Sequence, residues 1–235
     1  MIKIRAGKDR GHADHGWLLA KHSFSFAAYH DPEEMGWGAL RVINEDRVKP
    51  GKGFGMHGHR DMEIVTYILA GVLEHRDSLG NGGVIRRGEV QRMSAGRGIL
   101  HSEFNPSVTE ETHLLQIWIE PAAPGGQASY EQLAVAGGEI PGPWRCIASP
   151  DGAQGSTTIG QDAHIHVCRL EPQEAAGRTQ TPGRLGYLHV VRGRVRLNGI
   201  DLAGGDAAKL ADEPRLEIVA GEASEILYFD LPPPA

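Results

Sequence analysis

Along the whole chain, apolar residues fall into short or alternating runs closed by Gly, Pro, Asn or Asp. Such runs occur at Leu40–Ile43, Glu63–Ala70, Val84–Arg86, Val90–Met93 and Leu114–Ile119, and again at His164–Leu170, Tyr187–Val191, Val195–Leu197, Leu216–Val219 and Glu225–Phe229. A half-buried strand alternates with period 2, and a strand covered on both faces reads as a brief continuous apolar run. Helical periodicity is confined to Ser129–Ala136, where a short helix is expected. Evenly spaced short strands without intervening helices predict an all-β fold of the sandwich or barrel type.

The pattern partly repeats. Tyr67-Ile68-Leu69-Ala70-Gly71-Val72-Leu73 resembles His189-Val190-Val191-Arg192-Gly193-Arg194-Val195, and each is followed by a Gly-acid turn, Gly88-Glu89 and Gly205-Asp206, and then a further apolar strand. Between the copies, Gly125–Pro150 is rich in Gly, Pro and small residues and shows no clear strand pattern. The chain therefore reads as two related β-barrels in tandem, residues 1–130 and 131–235.

Composition narrows the functional classes. Net charge is −6, with 24 Lys+Arg against 30 Asp+Glu, which argues against direct nucleic-acid contact. The 32 Gly and 14 Pro suit tight turns between strands. Only Cys146 and Cys168 are present, too few for a disulfide framework or a thiolate metal site, so a reducing compartment is expected. Met1–Gly7 lacks the apolar core of a secretion signal and no run approaches a membrane span; a cytoplasmic protein without a membrane role is expected.

The chemistry concentrates in two triplets, His57-Gly58-His59 and His101-Ser102-Glu103. Residues i and i+2 of a strand project to one face, so two facing strands would aim three imidazoles and a carboxylate at one point. That donor set suits a divalent transition metal: Fe(II) first, with Zn, Mn, Ni, Cu or Co acceptable to the same ligands. Glu63 has the parity of His57 and His59 but reaches the ion only if one strand runs through Arg60-Asp61-Met62; otherwise it would serve at most to orient a ligand. Aligned on Gly193 and Gly205, the second half carries Thr179 and Thr181 in place of His57 and His59, Leu185 in place of Glu63, and Ile218 and Ala220 in place of His101 and Glu103, so a metal-free partner barrel is expected there. His164-Ile165-His166 repeats the spacing but lies too far before Gly193 to be the equivalent motif. His22 and His30, beside aromatics, are candidates for a pocket mouth, whereas His75 and His113 carry no spacing signal. Gly51-Lys52-Gly53-Phe54-Gly55 precedes a strand and reads as a turn rather than a phosphate loop.

These motifs resemble a known family. Gly51, His57-Gly58-His59, Glu63 and Gly71, followed by Gly88 through Gly96, His101 and Asn105, are similar to the paired motifs of the cupin superfamily, with one extra residue between Glu63 and Gly71. His22-Ser23-Phe24-Ser25-Phe26, Trp37-Gly38-Ala39-Leu40-Arg41-Val42, the stretch His57 through Tyr67 and the stretch Arg92 through Glu103 resemble the pirin family, densely over residues 15–120 and more loosely beyond. The resemblance implies a bicupin with one ligand-bearing and one degenerate barrel, and a metal held by His57, His59, His101 and Glu103. Bacterial pirins of this kind are similar to quercetin 2,3-dioxygenases, which implies a flavonol substrate, O2 as co-substrate, and Glu103 as ligand and proton acceptor. The alternative the family offers is an iron-containing, redox-responsive regulator that acts through a protein partner.

Overall fold

The computed structural model describes residues 1–135 and 144–233, and within them the chain is built from 22 strands joined by turns and two 3-10 turns, with no α-helix among the described residues. No helix is long and apolar enough to cross a membrane. The predicted apolar runs all lie on strands. Each barrel is made of a seven-stranded and a four-stranded sheet. In the first, the larger sheet runs Ser129–Ala134, Glu89–Ser94, Glu63–Ala70, Thr112–Ile119, Leu40–Val48, Leu18–His22, Gly11–Asp14, and the smaller runs Gly53–His59, Ile99–Phe104, Val72–Asp77, Gly82–Arg86. The second repeats this order, its larger sheet centred on Leu185–Arg192, Ser224–Leu231 and His164–Leu170, its smaller on Ala175–Thr179, Arg215–Ala220, Arg194–Leu197 and Ile200–Ala203.

The two barrels trade edges. Ile2–Arg5 pairs with Ala207–Ala211 in the second barrel, whereas Ser129–Ala134 pairs with Glu89–Ser94 in the first. The boundary expected between residues 130 and 131 thus falls inside a strand of the first barrel. The helix expected over Ser129–Ala136 is not formed: Ser129–Ala134 is a strand, and Ala136 lies outside the described residues. The local sequence is ambiguous; pairing decides, because Arg92 reaches Ser129 Oγ at 2.6 Å and ion-pairs with Glu131 from the neighbouring strand. A second strand in the Gly/Pro-rich break, Trp144–Ser149, pairs with His164–Leu170.

Strands of the large sheets are covered on both faces, which explains their continuous apolar runs. On Glu63–Ala70, Val65 and Tyr67 enter a core shared between the barrels with Ile147, Ile165, Val167, Leu227 and Phe229, while Ile64 and Ile68 face the interior of the first barrel. The interior of the second barrel is filled by Leu188, Val190, Leu216, Ile218, Ala220 and Ile226, all fully buried. The repeat is anchored by Gly71 and Gly193, at φ +72° and +84°, left-handed turns that a side chain would strain.

Candidate metal centre

His57 and His101 are direct partners across the antiparallel pair Gly53–His59 and Ile99–Phe104, and a bulge between His101 and Glu103 sets Glu103 opposite Phe54. Close approach of the two strands there depends on Gly53, where an added Cβ would collide with the backbone of Glu103 and Phe104. The ring nitrogens of His57, His59 and His101 gather within 4.8 Å of one another. His57 Nε2 and His101 Nε2 stand 3.1 Å apart. Two nitrogens each about 2.1 Å from one ion and at right angles would stand roughly 3.0 Å apart, so the spacing fits shared coordination.

The protein orients these rings from behind. His57 Nδ1 lies 2.8 Å from the Gly55 carbonyl oxygen, which can only accept, so Nδ1 carries the proton and Nε2 is left as a lone-pair donor. His59 is held edge-on to Trp118 at 5.0 Å between centroids. Behind His101, Nδ1 is 3.5 Å from Nδ1 of the buried His75, whose Nε2 is 3.4 Å from Asp77 Oδ2. Burial, then the neighbouring His57, lowers His59 to about 4; burial, then His57, His59 and His75, holds His101 well below the usual imidazole range. Neutral imidazoles are the form that binds a metal.

Glu103 is buried and accepts from Gln116 Nε2 at 2.8 Å, with the Thr66 hydroxyl at 3.5 Å. Its carboxylate groups within 4.8 Å with His101 and His75, not with the full set of three metal-motif histidines. Burial pushes it up to about 7, against bonds from Gln116, Thr66 and Gln91. Asp46, also buried, is raised to about 7 by burial and then by Glu103 and Glu45. Among the described residues neither carboxyl has a Lys or Arg partner within 4.0 Å. Two buried acids without a cation, next to three lone-pair nitrogens, are the chemistry of a cation site, so the residues present fit a divalent metal.

His57, His59 and Glu103 line a cavity of about 590 Å3 whose walls include Phe26, Tyr29, Phe54 and Trp118. His22 is on this wall too, its Nδ1 2.8 Å from Asn44 Oδ1, while His30 is exposed and outside it. Glu63 departs from the role kept for it: Asp61 turns the chain at φ +48°, the strand is not continuous, and the Glu63 carboxylate accepts from Ser94 Oγ at 2.6 Å on the face opposite Thr66. His113 pairs with Glu45 at 3.0 Å. His75, which has no spacing signal, is the residue that sequence reasoning missed; its only cue is a shared strand face with Asp77.

In the second barrel Ile218 pairs with Ala176 and Leu216 with Arg178, so if Ile218 is matched to His101, the counterparts of His57 and His59 are Ala176 and Arg178 rather than the Thr179 and Thr181 reached by counting. The loop leading on to Leu185 is longer there, which shifts the count. Ile218 and Ala220, set against His101 and Glu103 by counting from Gly205, lie inside an aliphatic core. Arg178 lies over Tyr228 at 4.6 Å and reaches His166 Nε2 at 3.2 Å; burial, then Arg178, lowers His166 to about 3.

The comparisons with known proteins agree with this architecture. The model of the family described as Pirin matches residues 3–119, and that of the quercetinase C-terminal cupin domain matches residues 146–231. A quercetin 2,3-dioxygenase of Escherichia coli (strain K12) is 46% identical over 99% of this chain and 100% of its own length. The crystal structure of YhhW from Escherichia coli superposes with TM-score 0.96 at 45% identity, covering 99% of this chain and 98% of that one. A further structure, of bacterial pirin YhhW in complex with nickel(II) from Escherichia coli, has TM-score 0.94 and 46% identity over 99% of this chain and 100% of that one. With one histidine-bearing barrel, one aliphatic barrel and relatives that span its full length, this chain belongs to the pirin family.

Proposed function

We propose that the protein is a quercetin 2,3-dioxygenase, opening the central ring of a flavonol with O2 at a metal held by His57, His59, His101 and Glu103. The observation that carries this reading is the position of His57, His59 and Glu103 on the wall of an aromatic-lined cavity, with His101 directly behind His57. Its volume of about 590 Å3 lies within the roughly 300–1,000 Å3 of pockets that hold drug-sized ligands. A site whose oxidation state only reshaped a protein-binding surface would need no such cavity, so the regulatory reading is the weaker one.

When bound, Fe(II), or nickel as in the Escherichia coli relative, would supply a Lewis acid for the substrate oxygen and a route for electrons to O2. The chain's own residues do the rest. His57 and His101 present Nε2 because the Gly55 carbonyl and His75 engage the opposite nitrogens. Glu103, steadied by Gln116, accepts the proton of the flavonol 3-hydroxyl and so makes the ring electron-rich enough to react with O2. The aromatic walls hold the flat substrate and keep water from the reacting carbons. O2 is consumed, and one ring carbon leaves as carbon monoxide.

The test is anaerobic purification, metal loading, and simultaneous O2-uptake and carbon monoxide measurements on quercetin. One O2 consumed per carbon monoxide released is expected. A metal-loaded protein that leaves quercetin intact overturns the reading.

A further inference from the structure

His22 and Asn44 form a cross-strand pair, facing each other in the register of Leu18–His22 and Leu40–Val48. Both line the cavity at the histidine trio, and both are buried from outside solvent. The 2.8 Å contact joins His22 Nδ1 to the side-chain oxygen of Asn44, which can only accept. Nδ1 therefore carries the proton, and Nε2 is a lone-pair acceptor with no protein partner among the described residues. The ring is fixed by its neighbours, tilted against Phe26 at 5.4 Å and stacked on Tyr29 at 6.4 Å between centroids. From there the wall runs without a gap to the trio: Phe26 packs edge-on to Trp118 at 5.3 Å, and Trp118 edge-on to His59 at 5.0 Å.

A flat aromatic substrate with one end at the trio would lie along this Phe26–Trp118 wall and bring its remaining ring towards His22. We propose that His22, held in one tautomer by Asn44, accepts a hydrogen bond from a phenolic hydroxyl on the part of the substrate that does not reach the metal, and so selects hydroxylated flavonols over bare ones. The inference rests on the flavonol reading above and deepens it. A site built to receive a hydroxyl discriminates against the analogue that lacks it, because the acceptor is then left buried and unpaired. Asn44 is a positioning residue: without its oxygen, His22 is free to present N–H in place of the lone pair.

The test compares quercetin with 3-hydroxyflavone, which keeps only the metal-side hydroxyl. Dissociation constants are measured anaerobically on the metal-loaded protein, and kcat/KM in air. His22→Phe keeps the ring and removes the acceptor; it is expected to weaken quercetin binding roughly tenfold, about one hydrogen bond, and to leave 3-hydroxyflavone within twofold. His22→Gln, whose amide oxygen can accept, should recover part of the loss, and Asn44→Leu should reproduce part of it. Equal loss for both flavonols, or loss for neither, overturns the assignment of His22. Wild-type protein that binds quercetin with this pattern but never turns it over overturns the dioxygenase reading and leaves the binding role of His22 supported; wild-type protein that binds neither flavonol overturns both.

Discussion

Replacing His75 by Phe separates the work of the residue behind the metal ligands from its work in the fold. The ring of His75 is fully buried and stacks on Tyr130 at 4.8 Å between centroids, an arrangement that Phe retains with a somewhat larger ring. No charge is removed, because burial lowers His75 even against Asp77 and keeps it neutral. Asp77 still accepts from the Leu79 and Asn81 backbone N–H groups and from Asn81 Nδ2, at 2.9, 3.0 and 2.9 Å. The His75–Asp77 hydrogen bond that Phe cannot make is long, 3.4 Å, so with the larger ring to accommodate, apo-protein stability should fall by about 1–2 kcal/mol, a few degrees in Tm. At the metal the effect is specific: His101 Nδ1 no longer has a partner to set its tautomer and angle. Removing such a support costs 10–100-fold in affinity, and the 3.5 Å separation of His75 from His101, at the limit of hydrogen-bond geometry, favours the lower end, about tenfold or 1.4 kcal/mol. The assay is chelator competition for Fe(II) or Ni(II), with thermal melts of the stripped protein alongside. Affinity within twofold of wild type, or an apo Tm more than about 10 °C lower, would refute the reasoning.

Further outcomes follow from the same geometry. His101→Ala should abolish metal binding by elemental analysis, while His166→Phe, in the second barrel, leaves the metal content unchanged. Gly53→Ala forces a Cβ into the backbone of Glu103 and Phe104; it should lower both Tm and metal occupancy, and full occupancy at normal Tm would show that the strand approach is not needed. Between pH 6.5 and about 4 the buried His189 should cost stability as acid is added, against the opposite pull of Glu103 and Asp46, whose raised carboxyls favour the folded state as they protonate. Burial lowers His189 to about 3 in the folded chain, so protonation favours the unfolded state, and its contribution, complete above pH 6.5, is lost as pH falls. Glu45 acts in the same direction lower down: bonds from His113 and Arg10 outweigh burial and hold it well below the usual carboxylate range. In urea titrations His189→Gln should flatten the slope in this window by about one proton, 1.36 kcal/mol per pH unit, and an unchanged slope would exclude His189 as the cause.

How much of this was legible in sequence depends on whether a feature is local. Gly71, Gly88, Gly193 and Gly205 all have positive φ, a backbone requirement that marks turns in any register, so the repeat and the two barrels could be read directly. The two triplets could be read because i and i+2 parity is a property of one strand. What escaped depends on pairing between distant segments. His75 meets His101 only because Val72–Asp77 lies beside Ile99–Phe104. Glu63 leaves the site because one residue, Asp61, adopts a left-handed turn that no composition rule demands. The second-barrel equivalents of His57 and His59 were miscounted because loop length differs between the copies. The strand at Ser129–Ala134 forms because Glu89–Ser94 offers it an open edge and Arg92 a partner.

The exchanged edge strands bear on the order in which the chain can complete itself. Ile2 pairs with Leu210, and the terminal amine reaches the Ala211 carbonyl and Glu213 at 2.6 Å. During synthesis Ile2–Arg5 must stay without its partner strand until Ala207–Ala211 has been made, whereas the first barrel has all its strands once Ala134 is out. Contacts of such long sequence separation are slow to form and leave apolar edges exposed meanwhile. A nascent pirin of this build is therefore a first barrel complete in its strands while Ile2–Arg5 still lacks its partner, and the two barrels are joined along that edge only late.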